Sequence, residues 1–305
     1  MSLFSLLAAL LLGYYWPLTH PDWLRRFYTP SLHLLDRSLN DGQPRHGTIA
    51  WLLGVLLPVL AVGVAYVALL QINPLFGWMF SVAVLTLTLR FSRFGKQAEA
   101  LATALRDRNV DEARTLLAGM EEGCEAESLG AAEISRVGIE ASLRNAHYGL
   151  FAPIFWFVLL GPAGALLYRL ALLTQIEWAK LPNSGFHAFT SRAFGWLDWL
   201  PARFTAGGFA VVGDFEDAVY CWRMQSSAWA DKTLGVILAS GAGALGVRLG
   251  EPLPCKGVLQ YRPELGLGDE ADADYLMSAV GLIWRVLVLM VGLLLLLTFA
   301  HWLGN

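Results

Sequence analysis

Several side chains in this chain are typed and placed for chemistry at an apolar boundary. Glu140, Arg144 and Asn145 form the polar entry to the apolar run Leu150–Leu160, with His147 at its mouth. Arg144, Arg169, Arg203 and Arg248 each sit at an apolar junction. A guanidinium in such surroundings requires a partner, and its planar fork matches phosphate or carboxylate. His147 could act as a general base or a phosphate contact, or be a structural histidine. Glu140, Asp198, Asp214, Glu216 and Asp217 could instead close the arginines as internal ion pairs. Both readings stand: an anion site beside Glu140 and Asn145, on which Arg169, Arg203 and Arg248 converge, or a set of structural salt bridges.

Other chemistries have thinner support. No Ser-His-Asp constellation is legible, and no pair of histidines has HExxH or HxxxH spacing, so no metal site is expected. The acidic run Glu121, Glu122, Glu125, Glu127 with Cys124 inside it reads as a solvated loop. Gly241-Ala-Gly243-Ala-Leu-Gly246 matches GxGxxG, but a dinucleotide fingerprint needs a preceding strand and a βαβ context. Close helix packing through small residues is the expected role. The three cysteines, Cys124, Cys221 and Cys255, form no CxxC and are read as scattered thiols.

These residues must be positioned by an apolar framework. The chain has 305 residues, 56% hydrophobic and 15% charged, with a mean hydropathy of +0.50. Soluble domains are about 45–50% apolar and about 25% charged. The composition therefore predicts an integral membrane protein. Its net charge of -3, without a basic run, excludes nucleic acid as a partner and leaves the lipid bilayer. Strand signals are nearly absent, so the fold class is all-α: a polytopic membrane protein with a broken, re-entrant central helix and a cytoplasmic helical insert.

In chain order, residues 1–90 are read as three membrane helices, the first over 2–17 and ending in an aromatic belt at Tyr14–Trp16. An amphipathic cytoplasmic loop, 18–47, joins the first two. Thr48–Leu70 is long enough to span, and Pro58 should kink it. Leu75–Leu89 returns after the turn at Gln71–Pro74. Residues 91–145 form the insert, with Asp111 as an expected N-cap. Residues 146–250 hold broken membrane helices, in which Gly161-Pro162-Ala163-Gly164 interrupts the apolar run and Trp178–Ser191 is a mixed loop. Residues 251–274 form a cytoplasmic loop and 275–305 a final membrane helix. The turn at 71–74 carries no Lys or Arg, whereas 18–47 carries four and 90–146 carries eight. The basic loops are therefore expected inside and the turn outside, in a bacterial inner membrane.

Several collinear motifs resemble the CobD/CbiB family and the related AmpE proteins. Glu140, Asn145, Gly149, Ala152, Pro153, Phe155 and Trp156 fall in register with the family's E-S-V-A-E-N-x-x-D-G-x-x-A-P-L-F-W. Gly164-Ala-Leu-Leu-Tyr168-Arg169, Pro201-Ala-Arg203-Phe-Thr205, Gly243-Ala-Leu-Gly-Val-Arg248-Leu-Gly250 and Arg262-Pro263-Glu-Leu265-Gly266 follow in order. Leu-Gly13 and His20-Pro21 echo the family's L-G-D-P…H-P. The resemblance implies adenosylcobinamide-phosphate synthesis: an aminopropanol phosphate joined by an amide bond to adenosylcobyric acid at the expense of ATP, with Mg²⁺. On that basis Glu140 and Asn145 are candidate catalytic residues. Arg144, His147, Tyr168, Arg169, Arg203 and Arg248 are candidate contacts to a corrinoid or a phosphorylated or nucleotide ligand. The departures are also specific. The family's second Glu is Arg144, its Asp is Tyr148, the Asp of L-G-D-P is Tyr14, and an N-T-L-D run becomes Leu172-Leu-Thr-Gln175. The acidic run before P-A-R is reduced to Asp198. Leu197-Asp198-Trp199-Leu200-Pro201 followed by Gly213-Asp-Phe-Glu resembles the AmpE branch, linked to β-lactamase regulation. That branch implies a regulatory membrane protein binding an anionic ligand. Homo-oligomerisation stays open.

Overall fold

A computed structural model describes residues 2–15, 23–39, 44–121, 125–180, 185–255 and 257–303. Among the described residues the architecture is all-α apart from one small hairpin and two isolated β-bridges, Val247 with Asp269 and Leu249 with Leu265. The chain divides into two compact units, residues 1–91 with 148–201 and residues 92–147 with 202–305. His20, Pro21, Gly123, Cys124 and the end of the expected aromatic belt at Trp16 lie outside the described residues.

In the first unit, α1 (Ser2–Tyr15) packs on α5 (Pro74–Thr88). The amphipathic α2 (Trp23–Leu39) buries Tyr28 and Leu32. Next, α3 (Pro44–Trp51) runs through a π-helical turn, Leu52–Leu56, into α4 (Leu57–Ile72). Asn73 closes α4 and caps α5, its side chain accepting from the Leu75 N–H at 2.9 Å. A second π-helical turn, His147–Phe151, starts in the other unit and leads into α9 (Ala152–Leu160). The expected break falls at Gly161, whose φ of +65° favours glycine and which ends α9 and opens α10 (Pro162–Trp178). Gly164 lets the two helices meet, since a Cβ there would lie 2.2 Å from the Trp156 carbonyl oxygen. The buried core of this unit centres on α10, from Tyr168 to Trp178.

Helix α10 runs antiparallel to α4. Its start is beside Gly63, where an added Cβ would meet Ala163 at 3.7 Å, and Thr174 near its end shares Tyr28 with Gly54.

Three of the prolines inside helices of this unit, Pro58, Pro153 and Pro201, leave no carbonyl stranded. A proline has no N–H to offer the carbonyl four residues before it. For Pro58 that carbonyl belongs to Gly54, and the Tyr28 hydroxyl donates to it at 3.1 Å. For Pro153 it belongs to Gly149, which accepts from the Arg90 backbone N–H at 2.9 Å. For Pro201, inside α11 (Gly185–Val212), it belongs to Leu197, which accepts from Trp156 Nε1 at 3.2 Å. The expected kink at Pro58 is thus a π-helical turn ending two residues before it. Replacing Trp156 by Phe is expected to cost about 1–3 kcal/mol, because a shielded carbonyl loses its donor. In a Pro201→Ala background the restored N–H takes over, so the same change costs much less. A double-mutant cycle on thermal unfolding in detergent measures the difference.

In the second unit, α6 (Phe91–Arg106), α7 (Val110–Met120) and α8 (Ala131–Ala146) form the insert. Asn109, not Asp111, is the N-cap of α7, accepting from the Glu112 N–H. Asp111 lies in the first turn and pairs with Arg114 instead. The rest is α12 (Phe215–Gln225), α13 (Lys232–Leu245) and α14 (Ala273–Leu303). The expected loop at 251–274 contains an antiparallel hairpin, β1 (Leu253–Cys255) and β2 (Val258–Gln260). Of the expected mixed loop at 178–191, the described residues from Gly185 on are helical and belong to α11.

Among the described residues, two stretches are long and apolar enough to cross a membrane, His46–Ile72 and Ala273–Ala300, while Leu3–Tyr15, Pro74–Thr88 and Lys232–Leu245 are shorter apolar helices.

Candidate functional site

Helix α8 carries Arg136, Glu140 and Arg144 at successive i, i+4 positions, so the three lie along one face. Gly138, on the same helix, faces Leu101 of α6 and Leu276 of α14, which holds that stretch of backbone in the core. The Glu140 carboxylate is buried and fully engaged. Oε1 accepts from the Gly250 N–H at 2.8 Å, and Oε2 accepts from Arg262 Nη1 at 2.6 Å. Arg262 also donates from Nε to the Glu251 carbonyl at 3.1 Å, and its guanidinium lies 5.5 Å from the Trp229 ring centroid. Arg136 pairs with the Glu251 carboxylate. One carboxylate thereby ties GVRLG and RPELG to α8. Burial pushes the Glu140 carboxyl above its ordinary range, more strongly than Arg262, the Gly250 N–H and Arg136 pull it down.

The loop is built to reach this clamp. Helix α13 ends at Gly246, whose φ of +67° is left-handed, and the Val247 N–H closes back on Ala242. Gly250 and Gly266 have φ of +89° and +91°. Gln225 grips Gly266 from both sides, accepting its N–H at 2.6 Å and donating to its carbonyl at 3.2 Å. The GxGxxG run is helical in α13 and not a strand-to-helix turn. A Cβ on Gly243 would lie 2.4 Å from the Asp217 carbonyl oxygen of α12, so this glycine serves close helix packing, as the sequence suggested.

The remaining candidates are distributed as follows. In the second unit, Arg144 makes a two-pronged pair with Glu121, at 2.5 and 3.0 Å, so the acidic run is not wholly a solvated loop. Glu125 of the same run accepts from the Gly257 N–H of the hairpin turn. Asn145 is half-buried one residue on. His147 is buried, with Nδ1 2.8 Å from Thr205 Oγ1. Arg203 is half-buried on α11, and Arg248 is half-exposed with Glu264 at 3.9 Å. In the first unit, buried Tyr168 donates to Asp198 Oδ1 at 2.7 Å, with Arg169 buried beside it in sequence. The structure thus joins Glu140 to the two C-terminal motifs, and Tyr168 to Asp198. Arg262, Trp229 and Gln225 had no assigned role from sequence. Arg262 stood inside a quoted motif, which was the available signal. Among the described residues no three of His, Cys, Asp or Glu are placed to hold a metal ion.

Comparison with known proteins fits this arrangement of motifs. The model of the CobD/Cbib protein family matches residues 2–283. A cobalamin biosynthesis protein CobD of Stutzerimonas stutzeri is 34% identical over 272 residues, covering 86% of this chain and 84% of that protein. A cobalamin biosynthesis protein CobD of Chromobacterium violaceum is 33% identical over 220 residues, covering 70% and 68%. A cobalamin biosynthesis protein CbiB of Salmonella paratyphi A is 26% identical over 296 residues, covering 88% and 87%. No solved structure matches the chain. With a match that runs through both units and takes in the Glu140 clamp and the two loops it ties down, the chain belongs to the CobD/CbiB family.

Proposed function

We propose that this chain is an inner-membrane protein of corrinoid assembly, forming an amide between an aminopropanol phosphate and a corrinoid carboxylate at the expense of ATP. The observation that carries the reading is the Glu140 clamp, which gathers GVRLG and RPELG on one buried carboxylate. The phosphates of the aminopropanol phosphate and of ATP call for cations, and half-exposed Arg248 is the one we assign to them. Mg²⁺ would enter with ATP as substrate, and no step is assigned to it. The test is rescue of a strain lacking the synthase, with a corrinoid spectrum taken on the purified protein. Rescue is expected, and Arg248→Ala should reduce it while changing stability by no more than about 0.5 kcal/mol.

A second reading, an AmpE-like regulatory protein that binds an anionic ligand without turnover, draws on two positions. Where the resemblance implies carboxylates, this chain has Arg144, committed to Glu121, and Tyr148, whose ring lies tilted against Phe194 at 6.1 Å between centroids. Absence of rescue together with ligand binding would favour it.

The proposed topology is multi-pass, with 71–74 outside and the 91–145 insert inside. Cysteines introduced at Asn73 and Arg108 are expected to react and stay silent, respectively, with an impermeant reagent on intact cells. Labelling at position 108 would reverse the assignment.

A further inference from the structure

We propose that the outer face of α2 is a docking surface for anionic phospholipid, with Arg26 and Arg37 on the headgroups and Phe27 and Leu34 among the acyl chains. This rests on the membrane reading above and adds a lipid partner to it.

The inner face of α2 is already occupied: Tyr28 and Leu32 are buried, and Leu24, Leu35 and Leu39 pack against the same core. The outer face is Arg26, Phe27, Pro30, Leu34 and Arg37, all exposed, with Phe27 at 71% and Leu34 at 67%. At about 100° per residue, Phe27 and Leu34 fall within about 20° of each other, as do Arg26 and Arg37. The two pairs are separated by about 90°. An interfacial helix needs this layout: apolar side chains directed into the bilayer and long cations to one side, snorkelling to the headgroups.

The position of α2 fits the same partner. Its Tyr28 bonds Gly54, eight residues into the candidate span His46–Ile72, or about 12 Å at 1.5 Å per residue. Gly54 therefore lies in the first third of the span, on the side of the His46 end. Arg25, on the flank of α2, pairs with Glu177 at 2.9 Å, which also holds Lys180. Charge in this unit gathers at that level, while the opposite turn, Gln71–Pro74, carries none. A cationic helix beside a span at the cytoplasmic leaflet meets anionic lipid, and each arginine near such a surface favours it by about fivefold.

The test is native mass spectrometry of the full chain in detergent with equimolar phosphatidylglycerol and phosphatidylcholine. Wild type is expected to retain phosphatidylglycerol preferentially. Arg26→Gln with Arg37→Gln should lower the preference by about 30-fold, and Arg26→Lys with Arg37→Lys should keep it. Phe27→Ser with Leu34→Ser should weaken retention of both lipids. A glutamine variant that keeps both its melting temperature and wild-type lipid preference overturns the proposal. So does an acidic protein that co-purifies through these arginines while lipid preference stays flat. Carbonate extraction separates the two levels: release of the protein from membranes defeats the membrane reading, whereas a chain that stays embedded without lipid preference defeats only the α2 assignment.

Discussion

Replacing Glu140 by Ala is expected to destabilise the second unit by about 3–5 kcal/mol, because it leaves the shielded Arg262 guanidinium without its carboxylate. Arg262→Ala should cost a similar amount by stranding Glu140. The pair itself is not a large net source of stability, since burial disfavours the ionised carboxyl more than its partners favour it. Changing both residues to methionine should therefore cost less than the sum of the single changes. Equal or greater loss in the double variant would show that Glu140 and Arg262 do not act as a unit. The pH dependence has a definite sign. An acid whose folded-state value is raised contributes stability below its unfolded value, about 4.3 for glutamate, and loses that contribution as pH rises through the folded value. Wild type should therefore lose stability relative to Glu140→Gln as pH rises through that window. Unfolding measured across pH for both proteins checks this.

Gly266→Ala should be worse than its single methyl suggests. The residue has φ of +91°, and a Cβ would lie 2.1 Å from the Val247 carbonyl oxygen and 2.8 Å from Ala242 Cβ. Backbone strain of about 1–3 kcal/mol is joined by an overlap that only a shift of the loop can relieve. That shift would break the two hydrogen bonds to Gln225. We expect loss of the native loop and of rescue. Gly246 is the control, with φ of +67° but open space where its Cβ would go. Gly246→Ala should cost only about 1–2 kcal/mol, and Gly246→Asn less. Melting temperatures of the three variants decide the matter, and similar losses at 246 and 266 would refute the steric account.

The contrast between these glycines shows what a sequence can and cannot reveal. Local signals were readable: the Gly161 break, the amphipathic face of α2, the helical role of GAGALG and the near absence of strands. Each depends on neighbours within a turn or two. The partners at the site were not readable. Glu140 meets Arg262 across 122 residues, and nothing in either local pattern selects the other. The N-cap of α7 was misplaced by two residues because Asn109 and Asp111 are both good caps and only the geometry chooses. The hairpin in 251–274 was missed because its strands are three residues each and carry Pro254, too short for an alternating pattern to register.

The three proline helices have a bearing on how the chain is made. Tyr28 precedes Gly54, Arg90 precedes Gly149, and Trp156 precedes Leu197. In each case the donor leaves the ribosome before the carbonyl that needs it. A stranded carbonyl entering a bilayer costs several kcal/mol. Vectorial synthesis from the N-terminus therefore delivers each of these three carbonyls to a donor that already exists, and a circular permutant opened between Tyr28 and Gly54 would reverse that order for the first of them.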